Sequence, residues 1–443
     1  MYQCENDQFE KQKIFIKKVL KCSEKSKYYK EIYEKNNIDV ASIDTYQDFC
    51  RIPILTKAEL NDNKYHMITD EVRRINKDMY LSFGDDFKRK KDYLSENNFY
   101  LKITSGSTGI PVEIFKSKYD LQREYLGFNY FRKKTSGIFP SGKYIWIWPA
   151  NKYIRQYFYD NPEMKVYRDN DYGYKYMMEE YSDQSFKELS EFIVSEDIQW
   201  ITAPPSMLYY YSQYISNNHL PVKFGYIECH SEKLYQYQAE LIYKTFGTTP
   251  VSVYSSNEVQ FMGISCQCGN IHVIPQNSFI ELLAGPSGTA RVVATSLACL
   301  DLPIIRYDLG DVGDFVDARK CKCGIESPII QLKEYRANDF LITKNGKKYE
   351  PFILTDLMLL IRARFSLKID EYIIYQKSYD EIYFCFNNDA LFFVKNQYAV
   401  YDFIEAYLLD ITGFVFTIKF CAIDCIREKV GVSKFKYFVA GDF

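Results

Sequence analysis

Residues Thr104-Ser105-Gly106-Ser107-Thr108-Gly109-Ile110-Pro111 follow directly on the apolar run Phe99-Tyr100-Leu101-Lys102-Ile103. A loop this rich in Gly, Ser and Thr has little side-chain bulk and many backbone N–H and hydroxyl donors, which is what a polyphosphate requires of a protein. It is not a Walker loop, because no Gly-Lys-[Ser/Thr] opens a helix here. Pro111 and the alternating Val112-Glu113-Ile114-Phe115-Lys116 instead predict a second strand, with the loop at the tip of a strand–loop–strand. An ordinary hairpin connection needs only about two to five residues, so the extra length points to a ligand.

A second constellation is built from soft donors. Cys266-Gln267-Cys268-Gly269-Asn270-Ile271-His272 forms one knuckle and Cys321-Lys322-Cys323-Gly324 the other, with Cys268 and Cys321 53 positions apart. Each knuckle pairs thiols with a Gly that lets the chain fold back. Thiolates plus an imidazole suit tetrahedral Zn²⁺ in a structural, closed site. Five candidates are one too many: either all four Cys bind, or His272 replaces one of the first pair.

Three further stretches carry polar groups where chemistry is expected. Tyr254-Ser255-Ser256-Asn257-Glu258 is a polar turn after a strand-like run, the place where open α/β sheets bind ligands. In Pro303-Ile304-Ile305-Arg306-Tyr307-Asp308-Leu309-Gly310-Asp311, the Asp311 carboxylate can accept hydrogen bonds from two vicinal ribose hydroxyls. Arg306 can pair bidentately with a phosphate or a substrate carboxylate. His230-Ser231-Glu232 follows another strand-like run; His230 reads as a lining group. With only four histidines (66, 219, 230 and 272) and no nucleophile motif, a Ser–His–acid triad has little support.

The elements that must position these residues alternate. Strand-like runs at 144–148, 198–202, 224–228 and 250–254 are separated by helical stretches at 184–196, one opening at Pro205, and 234–246. That order predicts a sheet with parallel strands covered by helices. The opening, from Phe9 to about Asn36, reads as helical. Beyond about residue 340 the pattern becomes a compact α+β unit: helix 352–365, strands 371–376 and 381–386, helix 397–409, strand 414–422. A chain of 443 residues is too long for one hydrophobic core, so at least two domains are expected.

Composition excludes several classes. Net charge is −2 with both signs interspersed and no basic stripe, which argues against nucleic acid. No stretch approaches the ~18 apolar residues of a membrane span, and the N-terminus lacks a signal core. A cytoplasmic location follows as an expectation. There the twelve cysteines stay reduced, so their clusters read as metal sites before disulfides.

The string TSGSTGIP resembles the phosphate-binding loop of the adenylate-forming enzymes, and more narrowly their phenylacetate–CoA ligase and capsular-polysaccharide CapK-like branch. Ser26-Lys27-Tyr28-Tyr29, Tyr46-Gln47-Asp48-Phe49 and Ile52-Pro53-Ile54-Leu55-Thr56-Lys57 are similar to the entry of that branch. The resemblance runs in order along nearly the whole chain. It implies an α/β fold with a large multi-layer N-terminal adenylation domain (1–338, with the ATP and acyl site and the zinc-binding insertion). A small mobile α+β C-terminal domain (339–443) follows on a hinge.

By the same resemblance Thr104, Ser105, Gly106, Ser107, Thr108 and Gly109 bind ATP phosphates, Tyr254 stacks on adenine beside Ser255 and Ser256, and Glu258 helps hold Mg²⁺. Ser255 stands where Gly is usual, and Asn257 where Ser or Thr is usual. Glu232 lies in the turn near the adenine and acyl pocket, Arg306 and Asp311 belong to a stretch similar to the family's P-[LI]-I-R-Y-x-x-G-D, and Arg336 contacts the nucleotide just before Asp339, where the mobile domain begins. Lys434, with Lys436 as the alternative, is the lysine carried onto the α-phosphate, where it would stabilise developing charge. CapK-like relatives favour Cys266 with His272 as zinc ligands. The implied reaction joins ATP and a small-molecule carboxylic acid into an acyl-adenylate and pyrophosphate, then passes the acyl group to CoA. An amine, carrier-protein thiol or protein cysteine is the alternative acceptor, and a silent nucleotide-binding scaffold the alternative of another class. Homodimerisation is left open.

Overall fold

A computed structural model of the protein describes residues 3–70, 72, 82–83, 87–103, 113–149, 161, 164–178, 181–231, 233–284, 290–334, 341–349, 352–365, 367, 372–386, 398–422, 425 and 438–440. The chain divides into two compact units. One comprises Met1–Thr104, Val112–Phe139 and Val251–Tyr335; the other comprises Ser105–Pro111, Pro140–Pro250 and Arg336–Phe443.

The chain opens with α1 (Gln3–Ser23), α2 (Lys27–Lys35), α3 (Tyr46–Phe49) and α4 (Lys57–Met67). The helical opening expected from Phe9 to about Asn36 consists of two helices, α1 and α2. Ser26 takes extended backbone at the break, its Oγ accepting from the Tyr29 N–H and donating to the His66 carbonyl. Thr45 with Asp48, and Thr56 with Glu59, form capping boxes that start α3 and α4. Then come α5 (Phe87–Glu96), the antiparallel pair β1 (Phe99–Ile103) and β2 (Glu113–Ser117), and α6 (Lys118–Ser136). Helix α6 is capped by Ser117 and closed by Gly137 in the left-handed region. The expected strand–loop–strand is therefore present, with residues 104–112 at its tip outside the described residues.

The middle of the chain runs β3 (Tyr144–Pro149), β4 (Val166–Asn170), β5 (Gly173–Met178), α7 (Asp183–Ser195), β6 (Trp200–Ala203), α8 (Pro205–Asn217), β7 (Tyr226–Cys229) and α9 (Gln236–Phe246). In this second unit the strands lie in the order β7-β6-β3-β5-β4. All neighbours are parallel except the edge pair β4–β5. Alternation along β3 sends Ile145 and Ile147 into a core with Ile201, Leu208, Tyr211 and Ile227. The opposite face carries Tyr144, Trp146 and Trp148.

The first unit resumes with β8 (Val251–Tyr254), β9 (Gly263–Ser265), β10 (Ile271–Val273), β11 (Ser278–Ala284), β12 (Ala290–Ser296), β13 (Tyr307–Val316) and β14 (Ile329–Glu334). Their order is β11-β12-β13-β14-β10-β9-β8, antiparallel throughout. The first helices dock on this part of the chain: Gln12 Nε2 donates to the carbonyls of Pro275 (2.7 Å) and Ser278 (2.8 Å), and Leu55 pairs with Tyr307.

The C-terminal part holds β15 (Leu341–Ile342), β16 (Lys348–Tyr349), α10 (Phe352–Phe365), β17 (Tyr372–Ser378), β18 (Glu381–Phe386), α11 (Tyr398–Thr412), β19 (Thr417–Ala422) and β20 (Phe438–Ala440). A four-stranded sheet, β19-β18-β17-β20, is packed with its own core. Leu354, Leu357, Met358 and Ile361 recur at helical spacing on α10, and Val400, Ile404 and Leu408 on α11. Among the described residues, no helix is long and apolar enough to cross a membrane.

Candidate functional site

The two cysteine knuckles meet. Cys266 follows β9 and His272 lies in β10, joined by a turn closed by a hydrogen bond from the Gly269 N–H to the Cys266 carbonyl at 2.8 Å. Gly269 (φ 80°) and Gly324 (φ 72°) take the left-handed conformation that lets each knuckle fold back. The ligand atoms of Cys266, His272, Cys321 and Cys323 all lie within 4.8 Å of one another. Cys266 Sγ is 3.6 Å from Cys321 Sγ, which is 3.2 Å from Cys323 Sγ, itself 3.2 Å from His272 Nε2.

The surroundings set the His272 tautomer and bias the thiols in opposite directions. His272 Nδ1 lies 3.1 Å from the Ser327 carbonyl, which can only accept, so Nδ1 carries the proton and Nε2 presents its lone pair to the thiols. Burial works against ionisation of Cys321, but the Cys323 N–H and the Asn270 amide hold its thiol down to about 5. Burial pushes the Cys266 thiol up to about 12. Cys268 is exposed and stands outside the quartet, so the set formed in space is the one in which His272 replaces a member of the first pair. Three thiols and an imidazole at these separations match a tetrahedron with metal–sulfur distances of about 2.3 Å.

A second group of residues gathers where side chains from the end of β8 and the turn after it meet side chains of β13. Tyr254 Oη donates to Asp311 Oδ2 at 2.7 Å, and Tyr307 Oη donates to Glu258 Oε1 at 3.0 Å. The turn between is fixed by its own serines: Ser256 Oγ accepts from the Val259 N–H (2.9 Å) and Ser255 Oγ from the Phe261 N–H (3.0 Å). Phe261 has a positive φ of 50° and is held flat against Phe128, ring centroids 4.0 Å apart. Asp311 is presented by a bulge. Asp308 pairs with Val293 but Val312 with Arg291, so 309–311 lie outside the ladder, with Gly310 at φ 74°. The Gly310 N–H is bound by Asp308, which also pairs with Arg291.

Arg306 corrects an expectation. It does not await a phosphate or a carboxylate ligand. Its side chain is 5% exposed and faces Glu281, whose side chain is 0% exposed, with Nη2 2.9 Å from Oε1 and Nε 3.1–3.2 Å from both carboxylate oxygens. Nη1 donates to the carbonyls of Cys50 (2.7 Å) and Ile52 (2.5 Å). Tyr46 Oη donates to the same carboxylate. The guanidinium ties the 50–52 segment to the first unit's sheet, and a buried cation so fully engaged has no role at a solvent-facing ligand.

In the second unit, His230 directly follows β7 and meets the aromatic face of β3. Trp146 Nε1 donates to His230 Nε2 at 2.8 Å. Since the indole can only donate, the imidazole is neutral with its proton on Nδ1, 2.8 Å from Ser231 Oγ. Desolvation pushes its pKa down to about 4. It is a neutral, hydrogen-bonded imidazole and not a base at neutral pH. Trp148 packs against both rings. Thr104 to Gly109, Glu232, Arg336, Asp339, Lys434 and Lys436 lie outside the described residues. Tyr307 and Glu281 were not anticipated. Their signals were a tyrosine inside the 303–311 stretch and one acid in the apolar run Phe279-Ile280-Glu281-Leu282-Leu283.

No protein-family model matches the chain, and no characterised protein matches it by sequence. Solved structures do match. A 2-hydroxyisobutyryl-CoA ligase in the postadenylation state, in complex with 2-HIB-AMP, superposes with a TM-score of 0.58 at 12% identity, over 98% of this chain and 90% of that one. The same ligase in the thioesterification state, with 2-HIB-AMP and CoA, gives 0.55 at 12% identity over 98% and 90%. Its open conformation with the same two ligands gives 0.51 at 13% identity over 92% and 86%. The chain has the adenylate-forming ligase fold, a mixed α/β architecture with a smaller C-terminal domain.

Proposed function

We propose that this protein is an ATP-dependent carboxylate-activating ligase of the phenylacetate–CoA ligase and CapK-like branch. It joins a carboxylic acid to AMP with release of pyrophosphate and passes the acyl group to CoA. The observation that carries the reading is the pairing of Tyr254 with Asp311 and of Glu258 with Tyr307 at the end of β8, on a chain with this fold. A carboxylate accepts several hydrogen bonds at once, so Asp311 takes the Tyr254 hydroxyl and a vicinal ribose diol together. The bulge at 309–311 brings it out of the ladder to do so. Tyr254, oriented through its hydroxyl, offers a ring for the adenine. Thr104 to Gly109 cradle the phosphates with backbone N–H and hydroxyl groups.

Tyr307 orients the Glu258 carboxylate, which would hold Mg²⁺ against the phosphates; when bound, that ion neutralises charge on the phosphate oxygens. Glu232 lines the acyl side of the pocket. Arg336 contacts the nucleotide just before a hinge, and the domain 339–443 carries Lys434 to the α-phosphate as the carboxylate attacks in line. Cys266, His272, Cys321 and Cys323 would hold a structural Zn²⁺. Four protein ligands leave no open position, so that ion takes no part in the reaction.

CoA is supported as acceptor by the fold shared with a ligase solved with an acyl-adenylate and CoA. The test is pyrophosphate release from ATP over a panel of carboxylic acids, with CoA, with hydroxylamine and with neither. Acid-dependent release that CoA accelerates is expected. Release that hydroxylamine accelerates and CoA does not would move the acceptor to an amine or protein thiol. Absence of acid-dependent release across the panel, or full activity in a Thr104→Ala/Ser105→Ala variant, counts against the reading.

A further inference from the structure

Lys116 is the fourth residue of β2, and its side chain is 0% exposed. It pairs with Glu124 on α6 at 2.5 Å; the Glu124 side chain is 1% exposed. Cys299 Sγ lies 3.3 Å from the same carboxylate oxygen, while the other oxygen, Oε2, is buried with no hydrogen-bond partner among the described residues. An ion pair left partly unsatisfied in a dry interior is a poor source of stability. Apolar residues of similar volume would serve at least as well. Its best-attested use is to fix a register.

The hairpin needs such a device. Strand β1 pairs with β2 from Phe99↔Ser117 through Leu101↔Phe115 to Ile103↔Glu113, five residues a side. A slip of two residues would keep every side chain on its own face and still set Phe115 opposite an apolar residue of β1, so hydrophobic patterning resists it weakly. The same slip would carry Lys116 two places away from Glu124. It would also change the length of the connection, now residues 104–112.

Glu124 sits on a fixed platform. Asp120, one turn earlier on α6, accepts from the N–H groups of Leu300 (3.0 Å) and Asp301 (3.2 Å), and Arg123 Nε donates to the Ala298 carbonyl (2.9 Å). That segment leads directly into Tyr307 and Asp311. We infer that the Lys116–Glu124 pair is a positioning device that sets the register of the β1–β2 hairpin, and with it the number of residues that form the loop at its tip. The consequence for ATP rests on the reading of residues 104–109 as the phosphate loop.

The test is a Lys116→Met/Glu124→Leu variant, compared with the wild-type protein by thermal melting, by hydrogen–deuterium exchange of peptides spanning 99–117, and by calorimetric titration with Mg·ATP. The melting temperature should be unchanged or raised. Exchange across 99–117 should quicken, and the Kd for Mg·ATP should weaken on the order of tenfold or more, as expected for displaced positioning groups. An unchanged Kd overturns the inference, with or without faster exchange. Should the double variant fail to fold, Glu124→Gln, isosteric and uncharged, is judged by the same two measurements. If the wild-type protein itself does not bind Mg·ATP, the adenylation reading fails, and exchange across 99–117 alone decides whether the pair sets the register.

Discussion

Replacing Arg306 by Met separates two roles that look alike in a sequence. As a ligand for phosphate, Arg306 would be dispensable for folding, and its loss would abolish nucleotide binding. As the partner of Glu281, its loss strands a carboxylate that is fully buried, together with the carbonyls of Cys50 and Ile52. Breaking one side of a buried ion pair costs about 3–5 kcal/mol. At about 2–4 °C per kcal/mol for a unit of this size, the melting temperature should fall by roughly 6–20 °C.

The penalty should also depend on pH. Burial already raises the Glu281 pKa even with Arg306 opposing it; without the guanidinium, burial acts with less opposition. The native state then holds a proton that the unfolded chain has released, so stability declines as pH rises above the ordinary carboxylate range. The gap between variant and wild type, measured by calorimetry or dichroism, should therefore be smaller at pH 5 than at pH 8. Arg306→Met/Glu281→Leu, which removes both charges, should recover most of the loss. A single variant that melts like the wild type but no longer binds Mg·ATP would refute the structural role and restore the ligand role.

Protein purified without chelator should carry about one zinc per chain; Cys268→Ser should retain it and Cys323→Ser should lose it, by elemental analysis, and metal-free protein with freely titratable thiols would remove the site. Lys434→Ala should reduce acyl-adenylate formation by roughly 10²-fold or more while sparing acyl transfer from a pre-made adenylate; equal damage to both steps would make the lysine structural. With its pKa down at about 4 in the fold, His230 contributes stability that is present above its unfolded value near 6.5 and lost as pH falls from there toward 4. His230→Asn should flatten that decline in denaturant titrations, and an identical slope would show that His230 does not carry it.

Much of the second unit was legible because its signals are local. The helix at 352–365 and the strand at 381–386 fall where periodicity sets them. The βαβα order of 198–246 follows from alternating runs bounded by Pro205 and Gly247. The antiparallel sheet of the first unit was not legible. Strands β9 and β10 are three residues long, too short to show a period, and their pairing depends on partners such as Ile330, far along the chain. The metal quartet was legible as to its five candidates, while the choice among them waited on the turn that buries His272 and leaves Cys268 outside. Arg306 misled because a guanidinium that grips a ligand and one that grips a buried carboxylate have the same neighbours in sequence. The lone acid at 281, within the apolar run Phe279 to Leu283, was the available sign that a buried partner existed.

The first unit is assembled from distant stretches of chain, and that has a consequence during synthesis. The Tyr29 hydroxyl accepts from the N–H of Ile305, 276 residues later, and Gln12 is bound 263 and 266 residues downstream. At about 5–20 residues per second, α1 and α2 leave the ribosome roughly 15–60 s before these partners exist. For that interval Phe9, Tyr29, Tyr33 and Phe49, all buried in the finished protein, have only each other to shelter against. The segment 140–250, which closes its own core from contiguous sequence, can fold in the meantime. A nascent chain of this protein therefore passes through a stage in which its middle is finished and its beginning is still open, and that opening is where a chaperone that holds aromatic-rich helices would act.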